Sequence, residues 1–203
     1  MKYLRFSLLI LILGCVSVVA TSETADGVMA KSAEQFKKSP SITANYTATA
    51  KGDAVNGKIV ISADKFALTS SALSTWFDGK TQWTLDSKSN EVNVTEPTNE
   101  ELQQINPFAI ISTFRKSYKA KMLKAQKGQF KIELRPIDKK AEISHAIVVF
   151  NASTYLPVEL QMTTPNGLLV IKVKNAVGGG QLPQTTFRFD KAKYPKAKIV
   201  DLR

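Results

Sequence analysis

In 203 residues the sequence holds one cysteine, Cys15, and one histidine, His145. A lone cysteine closes no disulfide within the chain, and no His/Cys spacing suits a metal ion. There is no G-x-S-x-G elbow and no lysine-bearing phosphate loop, and Gly178-Gly179-Gly180 has neither a lysine nor a helix start beside it. His145 sits within an apolar run, where a histidine with a structural hydrogen bond is expected. The carboxylate pair Glu100-Glu101 opens a polar helix, where the helix dipole accounts for it. These gaps argue against an enzyme and against any cofactor. Arginine is also scarce. Beyond residue 20 there are four (Arg115, Arg135, Arg188 and Arg203) against 22 lysines. Nucleic-acid readers favour arginine forks and interleaved aromatic residues, so no nucleic-acid partner is expected.

What is present begins with an export signal. Lys2 and Arg5 precede an apolar run from Phe6 to Val19, and Val18-Val19-Ala20 offers small residues for cleavage. Residues 1–20 are therefore expected to be removed, leaving one domain over 21–203. Leu13-Gly14-Cys15 loosely resembles a lipidation site. Leu13 is large for it and apolar residues continue past Cys15, so export without an anchor is expected, with anchoring at Cys15 as the alternative. Losing Lys2 and Arg5 takes the formal charge from +11 to +9, basic enough to attract anionic partners. The densest basic stretch, Arg115 to Lys127, reads either as solvated strand-edge lysines or as a surface for an acidic partner.

The hydrophobic period is helical only near the start and in the middle. Ala25, Met29, Ala33 and Phe36 form one stripe of a helix over Thr24–Lys38, stopped by Pro40. From Ile42 the period becomes two, predicting about eleven short strands. Asn56-Gly57 and Asp78-Gly79 read as hairpin turns, the latter of type I′. Thr98-x-x-Glu101 reads as a capping box for a helix Asn99–Ile105. Asn106-Pro107 then opens an apolar helix carrying Phe108, Ile110, Ile111 and Phe114. Strands resume at Tyr118. Gly178–Gly180 reads as a flexible break before strands Thr185–Phe189 and Lys198–Leu202. No strand–helix–strand rhythm occurs, so the fold class is an antiparallel sheet, curled or barrel-like, with a few helices packed on it. Whether it encloses a solid core or a cavity stays open at this level.

Several stretches share a family likeness. Asp78-Gly79-Lys80-Thr81-x-Trp83, Glu91-Val92-Asn93-Val94 and Asn106-Pro107-Phe108-x-x-Ile111 resemble the periplasmic outer-membrane lipoprotein carriers of LolA type. The Gly57-x-Ile59…Lys65-Phe66 hairpin and a terminal Phe187-Arg188-Phe189…Ile199-Val200-Asp201 extend the resemblance to both ends. It implies an incomplete antiparallel β-barrel, its concave face covered by short helices, with a cavity for the acyl chains of a lipoprotein. It also implies a monomeric periplasmic carrier, loaded by an inner-membrane ABC transporter and emptied onto an outer-membrane acceptor, with no cofactor. By position it assigns Phe66, Trp83 and Leu85 to the concave side and Phe108, Ile110 and Ile111 to the covering helix. Family carriers commonly latch the lid with an arginine just before the strand Lys65–Ser70; here only Lys65 is near that place. The alternatives are an anchored acceptor or general lipid-binding protein of the same fold, and a basic polyanion- or protein-binding module.

Overall fold

A computed structural model describes residues 23–98, 101–102, 106 and 109–203. The expected signal segment 1–20, Cys15, Pro107, Phe108 and most of the helix expected over 99–105 lie outside the described residues. Its capping box does fall on described residues: the Thr98 N–H donates to Glu101 Oε2 at 2.7 Å and the Glu101 N–H to Thr98 Oγ1 at 3.3 Å.

Helix α1 spans Ala25–Lys38. Thr24 caps it by accepting from the Gly27 N–H at 3.0 Å, and Asp26 and Lys37-Lys38 complement its dipole. The strands follow as β1 Ser41–Ala50, β2 Asp53–Ser62, β3 Lys65–Ser70, β4 Leu73–Phe77, β5 Gln82–Asp86 and β6 Glu91–Thr95. Helix α2, Ala109–Ser117, runs straight into β7 Tyr118–Leu123. Then come β8 Gln129–Pro136, β9 His145–Asn151, β10 Pro157–Thr164, β11 Gly167–Gly179 and β12 Lys198–Asp201. All twelve strands form one sheet in the order β12-β6-β5-β4-β3-β2-β1-β11-β10-β9-β8-β7. Every pairing is antiparallel except β12 with β6, which is parallel. With β12 and β7 at opposite edges the barrel stays open, as expected of an incomplete barrel, with one strand more than the estimate of about eleven.

Three turn readings need correction. The first hairpin turns at Lys51-Gly52, both at positive φ, and Asn56-Gly57 lies inside β2. Gly57 is needed there because the Tyr46 ring, its cross-strand neighbour, and the Thr69 carbonyl come within 2.5 Å of where a Cβ would sit. Asp78-Gly79 belongs to a four-residue loop rather than a two-residue type I′ turn, and of the two only Gly79 has positive φ. The Asp78 carboxylate accepts from the Lys80 and Thr81 N–H groups at 3.2 and 3.0 Å and so replaces strand pairing at the tip. Gly178 and Gly179 are no break: they pair with Ile42 and Ser41 as the last residues of β11. The stretch read as strand Thr185–Phe189 forms a 3-10 turn, Gln184–Phe187.

The sheet buries both of its faces, in different halves. On the inner face α1 and α2 cover Ala44, Ile59, Ile61, Phe66, Phe77, Leu134, Val148, Leu160 and Ile171. On the outer face the chain after β11 crosses back over β3–β6 and covers Ala67, Trp76, Leu85, Val92 and Val94 with Phe187 and Ala197.

Candidate functional site

The inner face is the site that the resemblance points to. Helix α2 presents Ile110, Ile111 and Phe114, at 0, 1 and 4% exposure, towards the sheet, while Ser112 and Arg115 face solvent. That spacing places three apolar groups on one side of two helical turns. The same cluster holds Phe66 and Phe77, cross-strand neighbours whose ring centroids stand 5.4 Å apart. The structure thus brings Phe66, Ile110 and Ile111 into one apolar cluster.

It does not bring Trp83 and Leu85 there. Facing residues run Phe66–Phe77–Gln82–Thr95 along one row of the sheet and Ala67–Trp76–Trp83–Val94 along the next. Adjacent residues of a strand point to opposite faces, so Trp83 and Leu85 face outward, into the second cluster. Lys65 likewise faces away from the helices: its Nζ donates to Gln184 Oε1 at 2.8 Å on the outer side.

The tie that does hold α1 carries no local sequence signal. The Tyr155 hydroxyl donates to Glu23 Oε1 at 3.0 Å, Lys31 pairs with the same carboxylate, and the Lys31 ammonium sits 5.0 Å over the Tyr155 ring. Hydrogen bonds from Lys31 and then Tyr155 hold the Glu23 carboxyl below the ordinary glutamate range. Tyr155 stacks on Phe130, 5.8 Å away, and has positive φ. Only the fold brings residues 23, 31 and 155 together.

Among the described residues, a void between sheet and helices is lined solely by apolar residues, among them Phe36, Ile59, Ile61 and Val173, and measures about 10 Å³, barely the size of one water. Ser32 Oγ, on the buried side of α1, has no hydrogen-bond partner. Larger clefts lie elsewhere. A groove of about 600 Å³ on the outer face has Val149 and Glu159 along its centre, with Lys131, Lys172, Lys174 and Lys124 around it. A second cleft, of about 550 Å³, opens at the β5–β6 end of the inner face, between Gln82, Thr95, Glu101 and Arg203. His145 has the expected structural partner, Glu133, at 3.0 Å. Among the described residues no cluster could hold a metal ion, and no helix is long and apolar enough to cross a membrane.

A family model described as "Outer membrane lipoprotein carrier protein LolA" matches residues 16–166. The chain belongs to the LolA family. No curated protein sequence matches it significantly. Among solved structures, an uncharacterized conserved protein from Thermus thermophilus is similar, with TM-score 0.59 and 11% identity over 87% of this chain and 98% of that one. A LolA superfamily protein from Nitrosomonas europaea matches with TM-score 0.45 and 12% identity over 82% of this chain and 98% of that one. MucB, from the MucA/MucB complex of Pseudomonas aeruginosa, matches with TM-score 0.45 and 12% identity over 82% of this chain and 61% of that one. The Thermus protein shares the fold, an incomplete LolA-like barrel.

Proposed function

We propose that this LolA-family protein is a non-enzymatic periplasmic carrier, exported by residues 1–20. It holds the acyl chains of lipoproteins between the inner sheet face and α2, and takes them from an inner-membrane transporter to an outer-membrane acceptor. The supporting observation is that α2 turns Ile110, Ile111 and Phe114 into the apolar cluster that also holds Phe66 and Phe77, a surface that an acyl chain can take over. Because that surface is covered, loading requires α2 to lift. Uncovering its three apolar side chains costs about 5–9 kcal/mol, at 1.5–3 kcal/mol each. Roughly 6–11 buried methylenes offset that cost at about 0.8 kcal/mol apiece, so a long acyl chain opens the lid and a short one does not.

The test is native mass spectrometry of the protein taken from the periplasm, together with extraction of lipoproteins from inner-membrane vesicles. Co-purified lipoprotein or lipid supports the carrier. An empty protein that also fails to extract them overturns it. The outer lysine groove favours a second reading, a surface for a polyanion or an acidic protein. Such binding collapses with added salt, whereas acyl burial survives it.

A further inference from the structure

The inner face changes character between β4 and β5. Phe66 and Phe77 belong to the apolar core, and the next residues of the same row are Gln82 and Thr95. Thr75 and Thr84 lie alongside, their hydroxyl oxygens 3.4 Å apart. Gln82 is 8% exposed. Its Nε2 donates to Thr84 Oγ1 at 3.1 Å, while its Oε1 is buried and accepts from nothing. A buried amide oxygen without a donor costs about 1–3 kcal/mol, and a lone apolar replacement would remove that cost. The same side chain lines the 550 Å³ cleft together with Thr95, Glu96, which pairs with Lys80 at 3.4 Å, and Glu101, whose Oε2 accepts from the Thr98 N–H and hydroxyl. The cleft's one guanidinium, Arg203, is already engaged by Asp201 at 2.6 and 2.9 Å.

We infer that this cleft is a head-group site: it takes the hydrogen-bond-donating head, an amide N–H or an ammonium, of an amphiphile whose chain lies over Phe77 and Phe66. The inference rests on the carrier reading and adds direction to it. The cargo's polar end lies towards β6 and its chain towards β3. Gln82 Oε1, covered in the closed state, is uncovered as the cargo enters and accepts from the head. Glu96, Glu101 and Asp201 outnumber Lys80 and Arg203 around the cleft, which favours a cation over an anion. A head group that offers only acceptors leaves Gln82 Oε1 orphaned.

Calorimetric titration with two palmitoyl lysophospholipids, below their micelle concentrations, tests this. Lysophosphatidylethanolamine carries N–H donors; lysophosphatidylcholine has the same chain and phosphate but none. The full mature protein is expected to prefer the ethanolamine form about tenfold, the worth of one hydrogen bond to a buried acceptor. In Gln82→Met the preference disappears, chain binding stays, and Tm is equal to or above that of the parent. Gln82→Glu keeps the acceptor and strengthens the preference. Equal binding of both lipids by the parent overturns the head-group site and leaves the carrier standing. A preference that persists in Gln82→Met, or a Gln82→Met variant that melts lower or does not fold, also overturns it. Binding of neither lipid overturns the carrier reading and this inference with it.

Discussion

The sheet carries two apolar cores of different construction. The outer one, under the C-terminal crossing, is fastened by polar and aromatic contacts as well as by burial. Trp76 meets Phe189 and Tyr194 edge-on at 5.8 and 5.7 Å, and those two rings stack at 5.5 Å. Arg188 Nε donates to Asp78 Oδ2 at 2.8 Å, and β12 adds strand pairing to β6. Burial pulls the Asp78 carboxyl upward, but the Thr81 and Lys80 N–H groups and Arg188 outweigh it and hold it below the usual carboxylate range. The inner core has two helices laid on it, α2 with Ile110, Ile111 and Phe114 turned into the core and α1 with the Glu23–Lys31–Tyr155 tie at its N-terminal end. A cover with hydrogen bonds and strand pairing resists opening; one resting on apolar contact can be exchanged for other apolar matter. On the proposed reading, that difference makes the inner face the ligand's side.

Breaking the outer core should produce the largest loss. Trp76→Ala is expected to cost about 3–5 kcal/mol in urea unfolding while the folded fraction still binds palmitoyl lipid. Loss of binding at full folding would move the ligand to the outer face. Next in size is a charge on the lid. Ile111→Lys should abolish lipid binding yet leave the sheet's circular dichroism and urea transition recognisable, because α2 can lift with the charge. If Ile111→Lys unfolds the protein while Val149→Lys does not, Ile111 is structural and the lid assignment falls.

A smaller effect of opposite sign is expected at Ser32. Ser32→Ala removes the orphaned hydroxyl beneath α1 and should raise stability by about 1 kcal/mol while slowing lipid uptake. Stopped-flow loading kinetics and urea unfolding read the two halves of that expectation. Acid acts on the tie at Glu23. Its carboxyl titrates below the ordinary value in the folded state, so its contribution is present above the unfolded pKa and is lost as pH falls through the folded one. Amide exchange in α1 should therefore quicken below the ordinary glutamate range, and Glu23→Gln should show that faster exchange already at pH 7. Exchange unchanged in Glu23→Gln would remove the tie from the account. Last comes Lys65→Met. It faces Gln184 and should leave loading rates at the parent's value; faster loading would return it to the lid.

Most of the element pattern is legible because it is local. The stripe Ala25–Met29–Phe36 and the Thr24 cap specify α1, and the alternation of Thr81, Trp83 and Leu85 specifies a strand with one apolar side. The face that side turns to is not legible. With a single core assumed, Trp83 belongs beneath the helices; the second core sends it the other way. A signal exists in Phe187, Phe189 and Tyr194, an aromatic cluster after Gly180 that needs a surface to cover. Gln82 gives none, because a polar residue alternating with Trp83 reads as solvent-facing, and the cleft around it is closed by Leu202 and Arg203, more than a hundred positions away.

Sequence alone determined most of the strands, the two described helices, the antiparallel class and the absence of local catalytic motifs, all of which depend on neighbours a few residues apart. Tertiary structure decided the rest. Register, through a period of two, set which face each strand turns to the helices. Chain return after β11 gave the sheet its second core. Packing of α1 and α2 buried the inner face of the sheet. These outcomes depend on which distant segment covers which side, and no local pattern encodes that choice.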